Sequence, residues 1–323
     1  MTLGAGSFVV SLDFELYWGM RDVVSLEDYR GHLEGVHEAV PRMLDVFERF
    51  GTHATWATVG LVFAENHAEA KAFAPTLRPA YDDARLSPYD DLDRADLDRD
   101  AACYFAPSLV RQIAQTPHQE LATHTFAHFY CDEPGQDEAQ FEADLDAAVA
   151  IAQARGVTLS SLVFPRNQVN HGYLRVLPRK GITSYRGVPR RWALQRGSSR
   201  LDTLARRGLR LADNYLRVAG PRTQRAEAVG VPVDLPGTRF LRPFASRLRK
   251  LERTKEARIR GEMTAAAEAG HTYHLWWHPH NFGREPDENL AMLERLLEHA
   301  RRLSYSHGWQ SRTMAELAEH VRR

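Results

Sequence analysis

Cysteine is scarce in this chain. Cys103 and Cys131 are the two among 323 residues, which excludes a disulfide framework and suits a reducing compartment. Long apolar runs are missing as well: no stretch approaches 18 uninterrupted apolar residues, so no transmembrane helix is expected. The start, MTLGAGSFVVSLDFE, lacks a basic n-region and reaches a carboxylate almost at once; it reads as a first strand rather than a signal peptide. A cytoplasmic protein is therefore expected. Excess charge of either sign is absent, because 42 Lys/Arg balance 42 Asp/Glu. That argues against a general nucleic-acid binder. Neither an internal repeat nor a low-complexity tract is found.

What is present is unevenly spread. Between Arg186 and Arg260 stand 20 Lys/Arg against 6 Asp/Glu, while Asp82 to Asp100 is strongly acidic. A local basic segment permits an anion site without making the whole protein cationic. Part of it, RPFASRLRKLERTKEARIR, reads as a basic amphipathic helix able to rest on anionic lipid; a solvated lid or subunit contact is the plainer reading.

Short β-rich runs alternate with helical patterns. The strands are SFVVSLDFE, THATWATVG, ELATHT, LSSLVFP, GITSYRG and the late HTYHLWWHP. Helical periodicity covers Ser25 to Phe50, Phe141 to Arg155, Tyr173 to Lys180, Pro286 to Leu303 and the last residues, TMAELAEHVRR. Alternation of this kind predicts an α/β fold with a parallel sheet or barrel wrapped in helices. Such folds place their chemistry at the carboxyl ends of strands. Polar residues gather there: Asp13 and Glu15, His124, Arg166 and Asn167, His278 and His280.

The stretch QELATHTFAHFYCDEP sets His124 and His128 four apart. On a helix, that spacing would put both rings on one face within reach of one ion, and Zn²⁺ accepts neutral imidazole. Spacing alone favours two ordinary histidines. The acids change the balance. In a strand, Asp13 and Glu15 share a side, and two carboxylates on an apolar strand are costly unless a metal, hydrogen bonds or water meet them. The functional reading gives Glu15 to a two-histidine, one-carboxylate metal site and leaves Asp13 as a general base. The plain reading is that the strand has simply ended in water. His278, beside two tryptophans, is a candidate proton donor, with His280 competing for the role. Arg166 is expected to orient Asp13 through paired hydrogen bonds. His67 and His118 read as surface residues.

Taken together, these motifs resemble the NodB-like polysaccharide deacetylase superfamily, carbohydrate esterase family four and its relatives. SLDFE is similar to the motif that holds an aspartate base beside a metal-binding acid. HTFAH matches the His-(Ser/Thr)-x-x-His metal motif, FPRNQ the arginine- and proline-containing motif, and HLWWHPHNFG the motif with the catalytic histidine. The commoner first motif has two adjacent aspartates; here Phe14 takes the second place, and the metal role is carried to Glu15 in an Asp-x-Glu variant. The fourth motif, usually Asp and Trp, has no clear match; Tyr185–Arg186–Gly187 stands only at its position.

The resemblance implies a distorted (β/α) barrel with helical and loop insertions. It implies one domain over residues 1–323, with insertions at about 61–118 and a basic one at about 186–260. The implied activity is a metal-dependent hydrolase that removes an acetyl or formyl group from an amino sugar. Asp13 would be the base, His278 the acid, and a backbone N–H near Arg166 an oxyanion donor. The implied cofactor is one divalent ion on Glu15, His124 and His128, zinc first, with cobalt, nickel, manganese or iron possible. Without an export signal, and with the basic segment, the expected substrate is a nucleotide- or lipid-diphosphate-linked amino sugar, with peripheral membrane contact possible and no nucleic acid partner. Tyr17, Trp18, Asn167, Trp277 and His280 are candidate substrate contacts, with Phe129, Tyr130 and Trp276 nearby. Two other readings stand beside this one: a two-histidine, one-carboxylate iron oxygenase and a non-catalytic sugar-binding protein on a deacetylase scaffold.

Overall fold

The computed structural model describes residues 6–93, 97–188, 223–226 and 230–323. Within them nine strands form one sheet. They are β1 (Ser7–Phe14), β2 (Ala54–Thr58), β3 (Gln119–Thr123), β4 (Ser161–Val163), β5 (Ser184–Arg186), β6 (Val233–Asp234), β7 (Arg239–Phe240), β8 (Tyr273–Trp277) and β9 (Gln310–Arg312). The order is β6-β5-β4-β3-β2-β1-β8-β7, with β9 added on β1. Every strand pairing is parallel. Helices pack around the strands, giving the expected distorted (β/α) barrel. All eight residues of β1 are buried, as a central parallel strand covered on both sides requires.

The helices begin and end where local chemistry directs. Ser25 caps the Leu26–Glu34 helix by accepting the Asp28 amide. Capping boxes start the Glu138–Gln153 and Met314–Arg322 helices, through Asp137 with Gln140 and Thr313 with Glu316. Gly51 closes the Val36–Phe50 helix in the left-handed conformation.

The sequence pattern from Ser25 to Phe50 reads as one helix, but there are two, broken at Gly35. The backbone of Gly283 presses against Gly35, so that a β-carbon there would lie 2.0 Å from the Gly283 carbonyl oxygen. The loop after β8 thereby packs onto the break. The strands β6, β7 and β9 are two or three residues long and leave no periodic signal.

The region 61–118 carries short helices, among them His67–Phe73 and Pro107–Gln115. His67, expected at the surface, is buried and its ring hydrogen-bonds the Leu92 carbonyl. Much of the basic insertion, 189–222 and 227–229, lies outside the described residues. The basic helix is there as Arg249–Glu268, and its inner face carries Ile259 and Met263 together with buried Glu252, Lys255 and Glu262. Cys103 and Cys131 are buried and unpaired. Among the described residues, no helix is long and apolar enough to cross a membrane.

Candidate metal centre

The carboxyl ends of β1, β3, β5 and β8 meet above the middle of the sheet. β1 delivers Asp13 from its penultimate position and Glu15 from just beyond its end; both are almost fully buried. The chain turns sharply after Glu15, with Leu16 at φ 47, into the 3₁₀ turn Leu16–Gly19. Gly19 makes room for the acid: a β-carbon there would stand 2.1 Å from the Glu15 carboxyl carbon.

β3 ends at Thr123 and hands over to His124. The pair His124 and His128 is not on a helix, contrary to the simplest reading of its spacing. Thr125 has φ 64 and His128 φ 56, so the segment is an irregular loop that no helical ladder holds. Asp144 of the Glu138–Gln153 helix, fully buried, accepts the amides of Phe126 at 2.7 Å and Ala127 at 3.1 Å. The Thr125 hydroxyl accepts the Phe129 amide at 2.7 Å. Sequence reasoning missed Asp144, which looks like one more polar position of an amphipathic helix.

The three expected ligands converge. The Nε2 atoms of His128 and His124 lie 3.1 and 3.4 Å from Oε2 of Glu15, and one donor atom from each residue falls within 4.8 Å of the others. The Nδ1 of His124 donates to the Val163 carbonyl at 2.8 Å, which orients the ring so that Nε2 faces Glu15. His278 completes the group, its Nε2 3.6 Å from Glu15 and 3.7 Å from Asp13. It is the most solvent-accessible member of the cluster, at 20% for its side chain.

Electrostatics follow from burial and from this company. Burial alone would push the Glu15 carboxyl up, but His278 and the hydrogen bonds from His124 and His128 hold it well below the usual carboxylate range. Burial also opposes ionisation of Asp13, and the guanidinium beside it outweighs that to keep its pKa lowered. Burial depresses the His128 pKa against the pull of Glu15. His280 is depressed to about 3, first by burial and then by His278.

The guanidinium on Asp13 belongs to Arg186, not to Arg166. Arg186, with no exposed surface, closes β5 and donates Nη1 and Nη2 to the two oxygens of Asp13 at 2.7 Å each. It also donates to Ser11 Oγ at 3.0 Å and to Asn167 Oδ1 at 3.0 Å, and lies over the Trp276 ring at 4.2 Å. Arg166 sits at φ 53, which turns it the other way; it pairs with Asp22 and stacks on Tyr130. A strand that ends in an arginine after otherwise buried residues was the available signal for Arg186.

Two of the expected substrate contacts belong to the core. Trp18 is buried and donates its indole N–H to the Tyr104 carbonyl, and Trp277 stacks on Phe282 with no exposed surface. Inward alternation along β8 puts Trp277 under the sheet and leaves Trp276 half-buried at the site. Tyr17 donates to the Val24 carbonyl and, with Arg21, Asp22 and Tyr104, lines a cavity of about 490 Å³. Asn167 serves Arg186. His280 is buried and stacks on His278 with ring centroids 4.9 Å apart.

Known proteins resemble this chain. The family model described as polysaccharide deacetylase matches residues 29–185, which includes both histidines and leaves Asp13 and Glu15 before its start. A solved structure described as a polysaccharide deacetylase from Mycobacterium smegmatis superposes with a TM-score of 0.60 at 16% identity, covering 99% of this chain and 91% of that one. Puue allantoinase gives 0.58 at 13%, over 99% and 91%. A polysaccharide deacetylase structure from Pseudomonas aeruginosa PAO1 gives 0.54 at 15%, over 98% and 90%. At these identities the likeness speaks for the fold. No curated protein matches the chain.

Proposed function

We propose that this chain, which the polysaccharide deacetylase family model matches over residues 29–185, is a metal-dependent hydrolase that removes an N-acyl group from an amino sugar. The observation that carries this reading is the convergence of Glu15, His124 and His128 beside an aspartate held by its own arginine. The donor set fits a divalent ion, zinc above all. Tetrahedral bonds of about 2.0–2.1 Å put donors roughly 3.3 Å apart, close to the 3.1 and 3.4 Å separations of the two imidazole nitrogens from Glu15. The chemistry such an ion supplies is Lewis acidity: polarisation of the acyl carbonyl and acidification of water.

The chain's residues divide the remaining work. Asp13, ionised at neutral pH and fixed by two hydrogen bonds from Arg186, accepts a proton from the attacking water. Arg186 acts through Asp13 and does not reach the substrate itself; Ser11, Asn167 and Trp276 lock it in turn. His278, partly exposed at the mouth and near both acids, gives a proton to the departing amine. Asp144 holds the loop between the two histidines so that their nitrogens meet Glu15.

The test is metal dependence. Protein stripped by chelator should lose amidase activity on N-acetylated and N-formylated amino sugars, read by mass loss, and regain it with Zn²⁺ or Co²⁺. Full turnover in chelator would sink the reading.

The basic segment was expected to meet a phosphate. Several of its described cations are instead committed internally: Arg186 to Asp13, Arg239 and Arg258 to Glu262, and Lys255 to Glu252. A diphosphate-linked substrate would therefore rest on cations other than these.

A further inference from the structure

The start of the Arg249–Glu268 helix is unlike the rest of it. Further along, the helix turns Lys255, Ile259, Glu262 and Met263 inward. At its start, Arg247, Leu248, Arg249, Lys250, Leu251 and Arg253 all face solvent. Leu248 and Leu251 are 37% and 43% exposed, two of only six large apolar side chains so exposed among the described residues. Arg249 has a distant partner in Glu288 at 3.6 Å; Arg247, Lys250 and Arg253 have no carboxylate partner among the described residues. The one acid of this turn, Glu252, is buried against Lys255.

Position adds a second argument. Arg249 reaches Glu288, Glu256 meets Arg295 at 2.8 Å, and the Arg260 carbonyl meets His299 at 3.1 Å. The Arg249–Glu268 and Pro286–His307 helices thus run parallel. The second of them starts just after β8 and His278, so the basic turn lies at the carboxyl end of the sheet, the end that holds Asp13, Glu15 and the histidines.

We infer that this turn docks on an anionic phospholipid surface, with the mouth of the metal centre on the same side. Cations attract the headgroups, and the two leucines between them enter the headgroup–acyl boundary. A nucleic acid would use the cations and leave the leucines unsatisfied, so the bilayer fits better. The docking itself stands apart from the deacylase reading; only the consequence rests on it, namely that the amino sugar is carried on a lipid.

Co-sedimentation with vesicles tests this on the full metal-loaded protein, with no turnover in the readout. Vesicles of phosphatidylcholine with a minority of phosphatidylglycerol should bring the protein down; phosphatidylcholine alone should not, and high salt should release it. The double change Lys250→Glu, Arg253→Glu should lower partitioning about tenfold or more. Leu251→Ser should weaken vesicle binding and leave retention on immobilised duplex DNA unchanged. All of these side chains are exposed, so folding is not at issue, and hydrolysis of a soluble N-acetyl amino sugar should be unaltered in each variant. Absence of vesicle binding, equal binding to neutral vesicles, or insensitivity to either substitution overturns the inference. So does DNA competing fully while Leu251→Ser changes nothing. Vesicle binding without hydrolysis would instead count against the deacylase reading alone.

Discussion

Glu15 and Glu120 stand at opposite ends of the same sheet and titrate in opposite directions. At the carboxyl end, Glu15 pays for its burial with three imidazoles, and its pKa lies well below the ordinary value. At the other end, Glu120 meets only neutral donors: the hydroxyls of Thr55 at 2.8 Å and Ser161, and the Ala315 amide at 3.1 Å. Burial wins there and its pKa is raised. One side chain type thus serves two ends of one barrel. Glu120 ties β2, β3 and β4 to the Met314–Arg322 helix, while Glu15 sits among groups that repel or attract by charge. The contrast lies in the immediate partners: charged imidazole neighbours around Glu15, neutral donors around Glu120.

The largest expected effect separates those ends outright. Glu15→Gln should abolish bound metal, measured by inductively coupled plasma mass spectrometry, and cut turnover by about 10³-fold or more. Glu120→Gln should leave both intact; equal metal loss in the two variants would erase the distinction. Next, Asp13→Asn should keep the metal and lower the rate by about 10²–10⁴. It should also destabilise the fold by about 3–5 kcal/mol in denaturant titration, because Arg186 stays buried without its counter-ion. Metal loss in Asp13→Asn would instead exchange the roles of the two acids. A smaller effect is expected from Asp144→Ala, which frees the Phe126 and Ala127 amides: metal affinity should fall about 10–100-fold, with partial recovery in Asp144→Asn. Unchanged affinity would mean that the loop holds its own shape.

The smallest effect concerns pH. A native pKa above the ordinary value of 4.5 means that the folded state holds the Glu120 proton more tightly than the unfolded chain. Its contribution is therefore full below that value and is lost as pH rises through the native pKa. Glu15 has the reverse sign: its contribution is present above 4.5 and is lost as pH falls. In urea titrations of metal-free protein, wild type should lose stability relative to Glu120→Gln as pH rises. It should lose stability relative to Glu15→Gln as pH falls.

Much of this was legible beforehand. Parallel strands read as short apolar runs, and two carboxylates on such a run draw the eye to Asp13 and Glu15. The pair His124 and His128 stands out by its spacing, although the segment proves to be a loop and not a helix. Positive φ at Thr125 and His128 is a property of tertiary contacts, Asp144 among them, which no periodicity reports. Arg166 was assigned to Asp13 because both stood at strand ends. Of the two strand-end arginines, Arg186 meets Asp13 and Arg166 meets Asp22, a choice made by tertiary contacts that position in sequence does not report. Trp18 and Trp277 flank motifs, but adjacency in sequence does not say which side of a sheet an aromatic ring takes. The helix break at Gly35 answers to Gly283, a neighbour 248 positions away, and is invisible locally.

The partners of β1 carry a consequence for how the molecule comes together. Its neighbours are residues 54–58, 273–277 and 310–312, so the strand bearing both acids draws on segments separated by almost the whole chain. Loop-closure entropy must be met before such contacts repay it, and high contact order slows folding. The strand bearing both acids therefore waits for partners far along the chain before its pairing is complete.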